Sequence, residues 1–382
     1  MASHTLAGPE AIPAIEPRPA AAGDALEVRT YRPGDEAAII ELFERTFERT
    51  MGRTESLRHW KWEFCDTPAG YQAILLAWSG RKLAAQYTAM PVRMHVDGAS
   101  IDGALSLDTV TDAAFRGRGL FPKLAKQLNA GLAARGSFAI FGFPNENSAR
   151  PIFSKVGWVE LAPFPLLVKP LRGGVKAQLA RRGAIGRLLA PHGELAWSIV
   201  RKRARRITSS LQAEEVKEFP PDTDQLWERA RHGKRICVVR DRRYLTWRYV
   251  DNPDSIYRIW TLREGGTLVG TLVTLVEDRF GMKSGFVLDI LCEESRPDVA
   301  AALMSLAETS MAAEGAQIVT AIMYPASIVR RAIEEAGFVT VPRRFSPKEI
   351  HFGACALAEA TDRAMCYDPK NWYITWGDSD VV

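Results

Sequence analysis

The sequence predicts an α/β fold made of two similar halves, and three observations carry that prediction. Ala104-Leu105-Ser106-Leu107-Asp108-Thr109-Val110-Thr111 alternates apolar and polar residues, as a half-buried strand does. Leu120, Leu124, Leu128 and Leu132 then fall at helical spacing, across an Arg/Gly turn. The chain also repeats itself at low resolution. His59-Trp60-Lys61-Trp62-Glu63-Phe64-Cys65-Asp66-Thr67-Pro68 is echoed by Leu245-Thr246-Trp247-Arg248-Tyr249-Val250-Asp251-Asn252-Pro253, with apolar runs following at residues 74–78 and 257–262. Ile152-Phe153-Ser154-Lys155-Val156-Gly157-Trp158 is likewise paralleled by Ala332-Ile333-Glu334-Glu335-Ala336-Gly337-Phe338.

Strand, turn and helix bring several free N–H groups and the positive end of a helix to one point, at Phe115-Arg116-Gly117-Arg118-Gly119-Leu120. That arrangement suits a pyrophosphate. A surface turn or an RNA-binding Arg/Gly patch would carry the same residues, so the elements downstream decide. Residues 138–143, from Phe138 to Phe143, form a short apolar strand, and a second helix begins near Asn145 and runs to Gly157-Trp158.

In this order the elements resemble the GNAT superfamily of acyl-CoA-dependent acyltransferases, over roughly residues 26–170, with Val28-Arg29-Thr30-Tyr31-Arg32-Pro33-Gly34-Asp35 similar to the family's opening strand and loop. The resemblance implies a mixed, mostly antiparallel sheet flanked by helices. It also implies that the amides of Arg116, Gly117, Arg118, Gly119, Leu120 and Phe121 hold the pyrophosphate of coenzyme A. The backbones of Thr109, Val110 and Thr111 would pair with the pantetheine arm, and Asn147 would complete the cofactor-binding set. The chain departs from the family twice. Phe121 stands where Gly or Ala is usual, and Phe153 stands where many members carry a Tyr that protonates the departing thiolate, which a phenyl ring cannot do.

Acyl transfer from a thioester to an amine needs a base near the centre of the strand before the turn, and Asp108 is the candidate; its alternative is a structural acid within the sheet. Strict alternation puts Asp108 on the face of Ser106 and Val110. Glu146 reads as a solvated acid, Asn147 also as a helix-start cap, and His95 as an exposed strand residue. Trp60 and Trp62 read as core anchors or as one wall of an acceptor pocket.

The second half, residues 213–358, reads as a GNAT-like domain without the phosphate turn. Its matching strand leads into Cys292-Glu293-Glu294-Ser295-Arg296-Pro297, where two carboxylates would repel a pyrophosphate and Pro297 removes a donor. Residues 171–212 form a basic linker with helical spacing of its apolar residues; a solvated helix, contact of residues 171–206 with an anionic membrane surface, and contact with an acidic partner or nucleic acid are its three readings. Residues 1–25 are rich in Ala and Pro and are predicted to be a disordered tail without a secretory signal. Residues 359–382 carry Trp372, Tyr373 and Trp376 and are predicted to dock, with Asp378 and Asp380 either recognising a cationic amine or lying in solvent.

Composition bounds the remaining classes. With 47% hydrophobic and 25% charged residues over 382 positions, the chain has room for two globular domains. No apolar run approaches the roughly 20 residues that span a bilayer. Five scattered cysteines without a Cys-x-x-Cys pair suit a reducing cytoplasm and offer no metal-ligand pattern. The expectation is a cytoplasmic, metal-free N-acyltransferase that uses acetyl-CoA as cosubstrate and acts on a small-molecule amine. An amino sugar of a bacterial glycan pathway is one such acceptor; DNA is not an expected partner, and a homodimer stays open. An aminoacyl-tRNA-dependent ligase of tandem GNAT type and a non-catalytic acyl-CoA sensor are the alternatives.

Overall fold

The computed structural model describes residues 26–47, 57–161, 164–171, 210–254, 257–279, 281–341, 350–357 and 360–379. The N-terminal tail, most of the basic linker and Asp380 lie outside the described residues, and so do the readings that fall on them. The chain folds as two compact units, each discontinuous in sequence. One is drawn from residues 1–162, 247–255 and 351–368, the other from 163–246, 256–350 and 369–382.

The first unit contains β1 (Glu27–Thr30), α1 (Glu36–Phe47), α2 (Leu57–Phe64), β2 (Ala73–Ser79), β3 (Lys82–Val96), β4 (Ala99–Thr111), α3 (Leu120–Ala134), β5 (Ala139–Gly142), α4 (Glu146–Pro151) and β6 (Val159–Glu160). The second unit contains β7 (Leu166–Pro170), β8 (Leu211–Val216), α5 (Thr223–Ala230), β9 (Ile236–Val238), α6 (Arg242–Leu245), β10 (Arg258–Glu264), β11 (Thr267–Arg279), β12 (Met282–Cys292), α7 (Pro297–Ala313), β13 (Ile318–Ile322), α8 (Ile328–Glu335) and β14 (Val339–Thr340). The chain then returns to the first unit with β15 (Gly353–Ala356) and α9 (Ala360–Tyr367).

Strand order in the first unit is β1-β2-β3-β4-β5-β15-β6, antiparallel except where β4 meets β5. The second follows the same plan, β14-β7-β13-β12-β11-β10-β8, antiparallel except where β12 meets β13. The two late strands are exchanged. β7, which the sequence reading put in the first domain, pairs with β13 and β14, while β15 enters the first sheet between β5 and β6. Both are short apolar strands, so local pattern could not assign either to a sheet.

The core of the first unit forms where Leu120, Leu124, Leu128 and Leu132 of α3 meet Tyr87, Ala89 and Ala104 of the sheet. The four leucines are no more than 5% exposed, and each contributes roughly 1.5–3 kcal/mol by leaving water. Trp60 and Trp62, on α2, are buried as well, so neither walls an open pocket. Trp62 stacks on Trp247, the residue that repeats it, with centroids 5.1 Å apart. The Nε1 of Trp62 donates to the Trp247 carbonyl at 2.8 Å, and the Nε1 of Trp247 donates to the Trp62 carbonyl at 3.1 Å. The repeated motif is a reciprocal clasp in which each indole satisfies the other's backbone. His95, expected to be exposed, is 3% exposed on β3.

In the second unit β12 and β13 pair only through Ser284–Phe286 and then part. The C-terminal segment lies along the freed end of β12: Tyr373 donates its hydroxyl to the Ile290 carbonyl, and Trp376 meets Phe286 edge-on at 5.9 Å. Asp378 is 2% exposed and pairs with buried Arg240 at 2.5 Å, while Arg240 also reaches Asp289 at 3.2 Å. Asp378 is therefore neither a solvated acid nor an amine recognition group. Removing Arg240 leaves two buried carboxylates without their cation. Arg240→Ala should lower the unfolding free energy by about 3–5 kcal/mol, measured by urea denaturation; a loss below about 1 kcal/mol would mean that the network contributes little.

Candidate active site

The site begins with a defect in the register of β4. Leu107 pairs with Thr88 and Val110 with Gln86, so Asp108 and Thr109 together face the single residue Tyr87. Asp108 takes a left-handed conformation at φ 49°, uncommon and costly for a residue with a Cβ. Two side chains of β3 hold the bulge: Gln86 Nε2 donates to the Asp108 carbonyl at 2.9 Å, and Thr88 Oγ1 donates to the Leu107 carbonyl at 2.5 Å. The extra residue also shifts the alternation. Ser106 pairs with Ala89 on the α3 face, whereas Val110 pairs with Gln86 on the other, which corrects the expectation that they share a face.

The ladder between β4 and β5 ends before the bulge. Their pairing is confined to Ala104–Leu105 opposite Ile140–Phe141, leaving the edge of residues 107–111 facing an opening. Gly142 marks where the strands part: a Cβ there would lie 2.8 Å from the Ser106 carbonyl oxygen and 3.6 Å from the Ser106 Cβ. Thr109, Val110 and Thr111 lie on that edge, with only the Val110 side chain fully buried.

The edge leads to the Arg/Gly turn. Gly117 and Gly119 have φ of 76° and 73°, conformations that a glycine adopts without cost, and Gly119 starts α3. Residues 116–119 are exposed, and the amides of Gly117, Arg118, Gly119, Leu120 and Phe121 meet no main-chain acceptor among the described residues. The Arg116 amide is the exception in the expected set, since it donates to the Ala113 carbonyl at 3.3 Å. Pro122, without an N–H, ends the run of donors. Phe121 turns its ring onto Tyr87, centroids 5.7 Å apart, which leaves its amide at the helix start.

Asp112 anchors the approach to the turn. Its side chain accepts from the Ala114 amide at 2.9 Å and pairs with Arg45 at 2.7 Å and Lys82 at 2.9 Å. Burial alone would raise its pKa, but the bonds from Lys82, the Ala114 amide and Arg45 prevail and hold it at about 2. Arg118 and Lys82 both lie over the Phe115 ring, at 5.1 and 5.6 Å from its centroid. Sequence reading missed this anchor, because its cations come from α1 and β3.

Asn145, not Asn147, caps α4: its Oδ1 accepts from the Ser148 amide at 3.2 Å. Asn147 and Glu146 lie inside the first turn, and their side chains are outside the described residues. The helix continues as a wider turn over Ile152–Val156 and stops at Gly157. Phe153 packs on Gly353, where a Cβ would come within 2.4 Å of its ring. Beside the opening, Ser106 and Tyr87 share a hydrogen bond of 3.0 Å.

The corresponding turn of the second unit is occupied by its own side chains. Glu294 accepts from the Ile328 amide at 2.7 Å and from Ser327 at 2.9 Å, Glu293 pairs with Arg229 at 2.9 Å, and Pro297 opens the helix. Among the described residues no cluster of metal-ligating side chains occurs, and no helix is long and apolar enough to cross a membrane.

Comparison with known proteins assigns the class. The profile of the acetyltransferase (GNAT) domain matches residues 27–160. No curated protein matches the sequence. Among solved structures, a GCN5-related N-acetyltransferase from Anabaena variabilis is similar with TM-score 0.62 at 9% identity, over 87% of this chain and 73% of that one. A probable N-acyltransferase from Enterococcus faecalis gives 0.60 at 11% identity, over 87% and 72%. N-myristoyltransferase from Saccharomyces cerevisiae, solved with myristoyl-CoA and inhibitors, gives 0.58 at 11% identity over 100% of this chain and 92% of that one. The acetyltransferase (GNAT) domain is thus matched over residues 27–160, and the chain as a whole shares the fold of these solved structures.

The low pKa of Asp112 gives a stability contribution that is complete above its ordinary pKa, near 4, and is lost as pH falls toward 2. Asp112→Asn should therefore flatten the fall of melting temperature between pH 4 and about 2. An acid limb unchanged from the parent protein would show that Asp112 is not held by its cations.

Proposed function

We propose that the first unit catalyses transfer of an acyl group from acyl-CoA to an amine, with acetyl-CoA as the expected donor. The observation that carries this reading is the run of amides from Gly117 to Phe121 that meets no main-chain acceptor among the described residues, following a stretch of β4 that lies outside its ladder with β5. Amides at a helix start favour a pyrophosphate, and a free strand edge offers pairing to the amide groups of a pantetheine arm. Asp108, at the bulge where the edge begins, takes the proton that the ammonium must lose before attack.

The amine acceptor belongs to the opening between β4 and β5. Burial of Trp60 and Trp62 weakens the support that an aromatic wall would lend to an amino sugar, so sugars, peptide N-termini and small amines are to be tested alongside one another. The tRNA-dependent reading is weakened by the exposed amides of the turn, and the sensor reading rests on Phe153 alone.

Two outcomes test the assignment. Asp108→Asn should cut turnover by about 10²- to 10⁴-fold while calorimetric affinity for coenzyme A stays within about twofold; equal loss of both, or of neither, removes Asp108 from the role of base. Gly119→Ala forces a side chain into the left-handed region, costing about 1–2 kcal/mol, and re-aims the amides. It should weaken coenzyme A binding by at least about tenfold, and unchanged affinity would place the pyrophosphate elsewhere. Thiol release with donors from acetyl- to myristoyl-CoA, over an amine panel, sets the acyl length and the acceptor class.

A further inference from the structure

Phe153 leaves the departing sulfur without the hydroxyl that the resemblance places at that position, and the structure holds a different hydroxyl pair where β4 leaves its ladder with β5. Ser106 is the first β4 residue beyond the ladder with β5, two residues before the bulge. Its Oγ donates to the Tyr87 hydroxyl at 3.0 Å, and Tyr87 sits directly across from the bulge. Tyr87 is fully buried against α3, while Ser106 is half-exposed. Gly142 keeps the space beside Ser106 clear, because any side chain there would press on Ser106. From Thr111 to Ser106 the stretch of β4 outside the β5 ladder runs about 17 Å at strand rise, comparable to an extended pantetheine arm whose pyrophosphate end is held at residues 117–121.

We infer that, with the arm in place, the Ser106 hydroxyl turns its proton from Tyr87 to the leaving sulfur, and that Tyr87 then donates to Ser106 and positions it. The inference rests on the acyl-CoA reading above. An arm anchored at the turn and laid along β4 delivers its sulfur to the junction of β4 and β5, where Ser106 stands. The N–C bond forms, the C–S bond breaks, and the sulfur keeps the electron pair as thiolate beside the Ser106 O–H. Neither hydroxyl loses its proton. The two protons given up by the ammonium leave through Asp108 to water, and one returns to the sulfur in the product thiol. Burial penalises the phenolate, so Tyr87 stays a neutral partner whose hydroxyl fixes the orientation of Ser106. A preorganised donor aimed at developing charge stabilises the transition state more than the bound ground state.

The test uses the full chain, acetyl-CoA and the amine that gives fastest thiol release. Ser106→Ala should lower kcat by about 10- to 100-fold with coenzyme A affinity and KM for acetyl-CoA unchanged, Ser106→Thr should keep the rate within about threefold, and Tyr87→Phe should fall between them. An unchanged kcat in Ser106→Ala, or a Thr variant that falls as far as the Ala variant, overturns the role. Should the parent protein itself fail to bind coenzyme A in calorimetry, the acyl-CoA reading fails with it; normal binding and turnover in Ser106→Ala would sink this inference alone.

Discussion

The geometry of the first unit depends on one extra residue in β4. Asp108 and Thr109 share a single partner across the ladder, and the strand bends where Gln86 and Thr88 catch the carbonyls on either side of the kink. The ladder of β4 with β5 ends at Leu105, so the backbone of residues 107–111 lies outside that pairing. The turn at Gly117–Gly119 follows at the end of β4, and α3 starts directly after it. The strained φ of Asp108 is held by bonds from a buried neighbouring strand, as expected of conformational cost retained at a working site.

The second unit shows what happens to the same plan when the opening is not used. β12 has its own bulge, at Leu288, and parts from β13 at the equivalent place. There the chain fills the gap with itself: Tyr373, Trp376 and Asp378 line the freed strand, and Arg240 holds two carboxylates in the interior. Glu293 and Glu294 occupy the turn, where a phosphate would meet negative charge. Both units follow one strand plan, and among the described residues the run of amides at 117–121 without main-chain acceptors belongs to the first.

Much of this could be read from sequence because the relevant signals are local. The alternation around residues 104–111, the leucine stripe of α3 and the glycines of the turn each state a conformation within a few residues. What could not be read is long-range. The exchange of β7 and β15 between sheets leaves no mark in strands this short and apolar. The bulge left a faint mark, two successive polar residues at Asp108 and Thr109 where the alternation changes phase, but its geometry lies in the pairing with β3. Asp378 looked like a surface acid because its cation, Arg240, lies far away in sequence. The Trp62 and Trp247 repeat was visible, but not that each copy is the other's partner.

Amide hydrogen exchange with and without acetyl-CoA tests the central claim, that main-chain donors of one turn and one strand edge hold the cosubstrate. Exchange should slow in peptides covering residues 107–111 and 117–121 and stay unchanged across residues 292–297. Protection confined to the second unit, or absent from both segments of the first while binding is saturated, would contradict the account.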